Sequence, residues 1–298
     1  MNVQKERRLG GTNFGYLNAC TLAESLDHLA SCGVTEIELG LAAPHFDLHT
    51  ATAADFAGLR KQLARLGMRC TSVNTAELNL ISQSEAVSRL ALAQCSALIR
   101  AAAELGAPIA VVVPGRQHPL RPTPEAIALE RFARQIDALL GVAGAAGVSI
   151  ALETVPFGFL QTAGALAAWI DQAAHPSLSM VVDCANVFMH EDPVAALRAA
   201  GPRMSICHVS DAWKSRWAHT SIGSGEIDFA AIAHTLDGMQ FAGPTIYELM
   251  DADDPRPRMA RDLGRLESIG WRCAFAQALP AGPAQPTGND IQQKETNQ

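Results

Sequence analysis

A single-domain (β/α)₈ barrel, the TIM barrel, is the α/β fold class that this sequence predicts. Two observations predict it: a repeated unit of helix, glycine and strand, and eight short apolar strands that each precede a helical pattern. The chain has 298 residues, and a barrel of this class needs about 250 residues for one domain. Of the residues, 48% are hydrophobic and 18% are charged, which is typical of a globular protein with a large core.

The repeated unit is an amphipathic helix that ends at a glycine and continues into a short β-branched run. Glycine just beyond a helix end is the usual left-handed stop. The glycines of four such units are Gly33, Gly67, Gly106 and Gly147, which are 34, 39 and 41 residues apart. Spacing this even favours a closed barrel, although a doubly wound parallel sheet would also satisfy the alternation of strands and helices.

Eight predicted strands follow from apolar runs that are bounded by turn-forming residues. They are Asn13–Ala19, Glu36–Leu41, Arg69–Asn74, Ile109–Val113, Val148–Glu153, Leu178–Asp183, Met204–Val209 and Pro244–Glu248. Apolar residues at helical spacing predict outer helices at Glu85–Leu105 and Pro124–Ala146, and a last helix at Arg256–Ile269. We expect the barrel to span residues 9–279, between an N-terminal tail (1–8) and a Pro-, Gly- and Gln-rich disordered tail (280–298).

Charge and cysteine content argue against several other classes of protein. Acidic residues outnumber basic ones, 30 against 23, so the formal net charge is −7 at pH 7 and nucleic acid is a poor partner. The seven cysteines are scattered without a CxxC pair, which argues against a disulfide framework or a zinc knuckle. Neither a secretory signal nor an apolar run of membrane-spanning length is evident. We therefore expect a cytoplasmic enzyme with no membrane partner, and a homo-oligomer is compatible with the sequence.

Each of the four late strands ends in a side chain that can bind a metal ion. The fifth strand ends at Glu153, the sixth ends at Asp183, the seventh reaches His208 and the eighth reaches Glu248. Catalytic groups of such barrels project from the carboxyl ends of the strands, so these four side chains would converge. Three carboxylates and one imidazole suit Mn²⁺, Mg²⁺, Co²⁺ or Zn²⁺ and lack the thiolates that select zinc strongly. Each residue alone has an ordinary structural explanation, but the four together indicate a site for one divalent ion.

The chain resembles the sugar phosphate isomerase/epimerase superfamily, whose xylose isomerase-like barrel also occurs in endonuclease IV. The resemblance is carried by the segments ALETVPFG, VVDCANVFMHEDP, ICHVSDAWKSRWAHTSIGSGEIDF and TIYELM. It implies that the four strand-end residues hold one divalent metal ion. It also implies that Glu153 and Glu248 act as an acid/base pair on a small polyhydroxy carbonyl compound, such as a sugar, keto-polyol or sugar acid. The implied activity is isomerisation or epimerisation by removal of a proton next to the carbonyl.

Four further residues are predicted to bind the substrate. They are Asn186, Lys214, Arg216 and His219. Many epimerases of the family carry a histidine where this chain has Asn186, and an amide hydrogen-bonds but does not titrate near neutral pH. Endonuclease IV adds ligands that are absent here, since Trp217 stands at the position of its aspartate and the third strand ends in Asn74. A trinuclear DNA-repair site is therefore not predicted.

Two alternative functions remain open, and four further polar residues have no assigned role. Loss of water from a keto-polyol begins with the same proton abstraction, so a dehydratase or lyase is the second hypothesis, distinguished by a product lighter by one water. A non-catalytic barrel that binds a sugar-like ligand is the third, and it would not copurify with metal. By strand alternation Glu38 could face the barrel mouth or form a buried ion pair, and no role is assigned to it or to His45, Asn74 and His118.

Overall fold

Eight parallel strands form a closed barrel in the computed structural model, which describes residues 7–75, 79–118, 120–251 and 253–273. In chain order the strands are β1 (Arg7–Thr12), β2 (Glu36–Gly40), β3 (Arg69–Asn74), β4 (Ile109–Val112), β5 (Ser149–Glu153), β6 (Leu178–Asp183), β7 (Met204–Val209), β8 (Asp211–Trp213), β9 (Arg216–Thr220), β10 (Thr245–Tyr247) and β11 (Trp271–Arg272). The barrel runs from β1 through β7 to β10, and the parallel pairing of β10 with β1 closes it. This closure excludes the doubly wound sheet and confirms the predicted single-domain TIM barrel.

Helices separate successive barrel strands and cover the outside of the barrel. They are α1 (Leu22–Ser31), α2 (Ala53–Leu66), α3 (Glu85–Leu105), α4 (Glu125–Ala146), α5 (Ala163–Ala173), α6 (Cys184–Phe188), α7 (Pro193–Ala200), α8 (Phe229–Gly238) and α9 (Arg256–Ser268). Gly67, Gly106 and Gly147 follow α2, α3 and α4 in the left-handed conformation. The glycine stops that define the sequence repeat are therefore real helix ends, because only glycine adopts this conformation without a steric cost from a side chain.

The first strand differs from its prediction. It was expected at Asn13–Ala19, but β1 occupies Arg7–Thr12 and a short 3₁₀ turn follows at Phe14–Tyr16. β1 contains two glycines and two arginines, so it lacks the β-branched apolar run by which strands are recognised. The Asn13 side chain bonds both the carbonyl oxygen and the N–H of Gly40, at 3.0 and 2.7 Å. This amide continues the pairing with β2 where the backbone has already turned away.

Contacts at the amino-terminal end of the barrel bring two residues of the predicted N-terminal tail into the fold. Arg7 and Arg8 belong to β1, and Arg7 is buried against the ring of Trp271. Arg8 forms an ion pair with Glu36 at the start of β2. The short strand β11 pairs with this end of β1. The predicted disordered tail, residues 280–298, lies outside the described residues.

The core has two layers, one inside the barrel and one between the strands and the helices. The inner layer is a small buried cluster of Val111, Ala151, Val181, Ile206 and Ile246. The outer layer is much larger and includes apolar residues from nearly every helix. The small inner layer fills the middle of the barrel, so the carboxyl ends of the strands are free to carry polar groups. In the described part of the chain, no helix is long and apolar enough to cross a membrane, and the cysteines are all free.

Candidate metal centre

The four predicted ligands meet at one point at the carboxyl end of the barrel. Glu153, Asp183, His208 and Glu248 each offer one ligand atom, and these atoms lie within 4.8 Å of one another. The Nδ1 atom of His208 lies 3.4 Å from Glu248 Oε2 and 3.6 Å from both Glu153 Oε1 and Asp183 Oδ2. None of the four side chains is more than 5% exposed. Among the described residues, this is the one group of its kind arranged to hold an ion.

Strand alternation explains why the four side chains converge. Successive side chains of a strand point to opposite faces, so a residue two positions before a ligand shares its face. Those residues are Ala151, Val181, Ile206 and Ile246, which are members of the inner apolar layer. Each of these strands therefore places an apolar side chain inside the barrel and then a metal-competent one directly above it.

Two buried polar atoms of the cluster have no hydrogen-bond partner among the described residues. They are Asp183 Oδ2 and His208 Nδ1. The other carboxylate oxygen of Asp183 accepts a hydrogen bond from the backbone N–H of Asn186 at 2.7 Å, which fixes the carboxylate at the start of α6. Leaving buried polar atoms unpaired is costly. A divalent cation would satisfy both atoms, so the donor set fits the predicted metal ion.

Glu38 supports the imidazole of His208 from the far side. Its Oε1 atom lies 3.2 Å from His208 Nε2, so this nitrogen bonds Glu38 while Nδ1 faces the other three ligands. Glu38 also accepts hydrogen bonds from Ser72 at 2.6 Å and from Asn74 at 3.2 Å. A carboxylate behind a histidine ligand fixes the imidazole tautomer and raises its basicity. Strand alternation placed Glu38 on the inner face, but its pairing with His208 lies across the barrel and was not predicted.

Glu38→Gln is expected to weaken binding of Mn²⁺ by about 10- to 100-fold, because the charge that supports the His208 imidazole is lost. Titration calorimetry on the metal-free protein measures this change. Glu36→Gln is the matched control: Glu36 is also buried on β2, but it forms ion pairs with Arg8 and Arg69 at the opposite end of the barrel. Equal losses of affinity in the two variants would contradict a specific role for Glu38.

The pKa values of three members of the cluster are raised. For Glu248, burial and the neighbouring Glu153 and Asp183 carboxylates raise the pKa far above its usual value, although His208 opposes them. Burial likewise raises the pKa of Glu153, against the lowering effect of His208. For His208, burial lowers the pKa, but Glu38 and Glu248 outweigh it and the net pKa is raised. Each of these groups therefore keeps its proton to a higher pH than usual, and a cation that binds there must displace it.

The affinity for the metal is expected to rise with pH across the neutral range, because its ligands must lose their protons to bind it. Because the pKa values of Glu248 and His208 are raised, each keeps its proton to higher pH than usual, and the metal must displace it. As the pH rises through these pKa values, this competition disappears. Calorimetry in buffers of different ionisation enthalpy measures the protons released. Binding without proton release, or affinity that falls with pH, would contradict this account.

A hydrogen-bonded network connects the cluster to the β8–β9 hairpin. Asn186 donates from Nδ2 to Glu153 Oε1 at 3.3 Å, and its Oδ1 atom accepts from Trp217 Nε1 at 2.7 Å. Since the indole N–H can only donate, the orientation of the amide is fixed. His219 Nε2, 3.1 Å from the same Oδ1 atom, then donates to it, and His219 Nδ1 lies 3.0 Å from the Ser210 hydroxyl oxygen. The network holds the Glu153 carboxylate and the His219 imidazole in defined positions.

Comparison with known proteins identifies the family. Residues 26–269 match the xylose isomerase-like TIM barrel family. The chain belongs to this family. No curated protein matches it at the level of sequence.

Solved structures similar to this xylose isomerase-like barrel include three epimerases or epimerase-like proteins. A D-tagatose 3-epimerase-like protein is 19% identical with a TM-score of 0.76, over 88% of this chain and 98% of its own. The D-psicose 3-epimerase of Clostridium cellulolyticum is 17% identical with a TM-score of 0.74, over 89% and 100%. The 3-keto-D-glucoside 4-epimerase of E. coli is 18% identical with a TM-score of 0.74, over 88% and 100%. At these identities the similarity establishes the shared fold.

Two of the predicted substrate-binding residues of this xylose isomerase-like barrel lie away from the metal centre. Lys214 and Arg216 are exposed on the β8–β9 hairpin. The Lys214 ammonium group is 5.2 Å from the centre of the Phe188 ring, and the Arg216 guanidinium carbon is 4.0 Å from that of Trp213. Asn186 and His219, by contrast, contact the cluster directly. The substrate-binding role of all four stays a prediction.

The base of the hairpin is held by Asp211. Its carboxylate accepts hydrogen bonds from the backbone N–H groups of Gly223 and Gly225, both at 2.8 Å, and of Ala212 and Ile227. A side chain at Gly225 would place a Cβ atom 2.3 Å from the carbonyl oxygen of Ala212. The Gly-Ser-Gly turn thus allows the loop to pass close to Asp211.

The histidines left without a role bond to nearby loops. His45 contacts the Asn13 side chain and the Cys20 carbonyl oxygen, and His118 accepts from the backbone of Leu120 and Arg121. Asn74 differs from them, because it donates to both Glu38 and Glu153.

Proposed function

We propose that this protein is a divalent-metal-dependent isomerase or epimerase of a small polyhydroxy carbonyl compound. The observation that carries the proposal is the placement of Glu153 and Glu248 on either side of Asp183 and His208. Their strands, β5 and β10, are separated in the barrel by β6 and β7. All four ligand atoms lie within 4.8 Å of one another. The two glutamates can therefore approach one substrate carbon from different sides.

In this proposal Asp183 and His208 hold the ion, with Glu153 and Glu248 as further ligands. When bound, the ion polarises the substrate carbonyl and stabilises the negative oxygen that forms. One glutamate removes the proton from the adjacent carbon, and the other returns a proton from the opposite side, which inverts that carbon. Asn186 keeps the Glu153 carboxylate aligned through its hydrogen bond of 3.3 Å. Burial excludes water from the proton that is being transferred.

The similar structures support a sugar as the substrate class. The three proteins compared above are named as epimerases of ketoses or keto-sugars, or as similar to one. Inversion of a carbon next to a carbonyl begins with removal of its proton, which is the step proposed for Glu153 and Glu248. Nothing among the contacts of the described residues favours the dehydratase hypothesis, so it is not proposed here.

Incubation of the Mn²⁺-loaded protein with ketoses in D₂O tests the proposed function. The panel consists of D-fructose, D-tagatose and D-psicose, together with the matching 6-phosphates and uronic acids. At least one member should give a stereoisomer, or an aldose–ketose isomer, that carries solvent deuterium at the reacting carbon. A product lighter by one water would instead establish a dehydratase. Absence of both deuterium incorporation and product across the panel, with metal bound, would contradict the proposal.

A further inference from the structure

A cavity of about 640 Å³ lies between the connections that follow β3 and β4, and Arg116 is one of the residues that line it. Apart from Ile81 and Pro122 its described lining is polar or basic, and no aspartate or glutamate is among those residues. The two arginines are Arg116 and Arg121. The formal net charge of the chain is −7, but two guanidinium groups line this cavity. Such a site attracts anions against the repulsion of the whole protein.

Arg116 has a rigid backbone beneath an exposed side chain. Its N–H donates to Asn79 Oδ1 and its carbonyl oxygen accepts from Asn79 Nδ2, both at 3.3 Å. An antiparallel bridge also joins Arg116 to Gly158 in the connection after β5. The guanidinium carbon lies 5.3 Å from the centre of the Trp217 ring. The backbone and the stacked indole together hold the guanidinium group ready for a ligand.

The guanidinium group of Arg116 has no carboxylate partner within the part of the chain that the structure describes. It differs in this respect from Arg60, which pairs with Glu104, and from Arg203, which pairs with Asp171. A guanidinium fork binds carboxylate or phosphate with two parallel hydrogen bonds. Arg116 thus offers a binding group that the fold itself does not use.

A short series of contacts connects Arg116 to Glu153, one of the two proposed bases. Trp217, on which it stacks, donates from Nε1 to Asn186, and Asn186 donates to Glu153. One indole ring and one amide therefore lie between the guanidinium group and the catalytic cluster. A ligand whose carbonyl end lies at Glu153 can extend along the indole towards Arg116.

Charge at the metal centre determines which end of an acidic ligand would lie there. Glu38, Glu153, Asp183 and Glu248 are four buried carboxylates, which outnumber the two positive charges of one divalent ion. A further anionic group is therefore disfavoured at the ion and favoured at the free guanidinium. The carbonyl end of the substrate would face the ion, and its acidic end would face Arg116.

From this geometry we infer that the substrate carries an oxyanion, as a carboxylate or a phosphate, at the end remote from its carbonyl, and that Arg116 binds this group. The inference rests on the proposed function and specifies its substrate class. Lys214 and Arg216 are less suited to this role, because the rings that they contact, Phe188 and Trp213, are not part of the series of contacts from Trp217 through Asn186 to Glu153. Arg116 is the residue that selects acidic substrates over neutral ones.

Binding of unreactive sugar analogues to the Mn²⁺-loaded full-length protein tests the inference without requiring turnover. The probes are D-glucitol, D-gluconate and D-glucitol 6-phosphate, which share one carbon chain and end in a neutral, carboxylate or phosphate group. Calorimetry should show at least one acid bound more tightly than D-glucitol by about 10- to 100-fold, the range for a charge-assisted hydrogen-bonded pair. The preferred acid identifies the group.

Arg116→Gln should abolish this preference and leave the affinity for D-glucitol unchanged. Arg134→Gln is the matched control, because Arg134 is an exposed arginine on the outer helix α4. It should behave like the wild type. Equal affinities for the three probes, no measurable binding of either acid, or a preference that survives Arg116→Gln would each overturn the inference. In the last case the metal itself would bind the acid.

The same variants separate this inference from the proposed function. If no ketose is converted but an acid binds through Arg116, the proposed function fails and the anion site stands. If neutral ketoses are converted as well as acidic ones, and Arg116→Gln changes neither rate, the proposed function stands and the inference fails.

Discussion

Glu153→Gln and Glu248→Gln are each expected to lower the rate of epimerisation by about 10³-fold or more, within the range for loss of general acid–base catalysis. Both side chains are almost completely buried, and glutamine has nearly the same shape, so the fold should be retained. The measurement is kcat at saturating Mn²⁺ for the substrate found with the ketose panel. Glu104→Gln, an exposed glutamate on α3, is the control and should keep full activity.

Deuterium exchange from the solvent shows which face of the substrate carbon each glutamate serves. If each glutamate acts on one face of the substrate carbon, each variant still removes the proton from one epimer and not from the other. Glu153→Gln should therefore catalyse solvent exchange into one epimer, and Glu248→Gln into the other, without interconverting them. The double variant should be little worse than either single one in conversion, since residues that act as a unit are non-additive. Exchange lost from both epimers in both variants would contradict the two-base assignment.

Asp183→Asn is expected to remove the stabilisation of the protein by Mn²⁺. At a free concentration 1,000 times its Kd, a ligand that binds only the folded state stabilises it by about 4 kcal/mol. Asparagine keeps the oxygen that caps α6 but replaces the unpaired Oδ2 atom of Asp183 by an N–H₂ group, which cannot bind a cation. Melting curves with Mn²⁺ and with EDTA measure the effect: the wild type should show a higher Tm with Mn²⁺, and the variant should show no difference.

Asp262→Asn is the matched control for this experiment. Asp262 is equally buried, but it lies on α9 and accepts a hydrogen bond from Tyr247. Its variant should have a lower Tm than the wild type and yet keep the full response to Mn²⁺. A response that persists in Asp183→Asn, or that is lost equally in both variants, would contradict the proposed ligand set.

The candidate metal site could be predicted from the sequence because its geometry follows from strand alternation. Each ligand ends an apolar run on one of four consecutive barrel strands, and parallel strands that close into a barrel present their carboxyl ends together. β3, β6 and β7 have the predicted bounds, and α3 does as well. The strand that was misplaced, β1, contains two consecutive glycines, one facing each layer of the core. The four site residues could thus be predicted because each follows an apolar run that is recognisable as a strand.

Contacts across the barrel and between loops could not be predicted in the same way. Glu38 and His208 are 170 residues apart on strands that are not neighbours. The position of Trp217 over Asn186 depends on the turn of the β8–β9 hairpin, and the stacking of Arg116 on Trp217 depends on two separate loops. No periodicity in the sequence encodes such distances, because each loop conformation is determined by its own tertiary contacts.

The pairing of β11 with β1 has a practical consequence for handling the protein. The backbone N–H of Arg7 donates to the carbonyl oxygen of Gly270, and Trp271 and Arg272 pair with Arg7 and Arg8. The first and last described strands therefore lie side by side at the amino-terminal end of the barrel, whereas the metal cluster lies at the carboxyl end. Attachment to a solid support near either strand would direct the end of the barrel that carries the four-residue cluster towards the bulk solution.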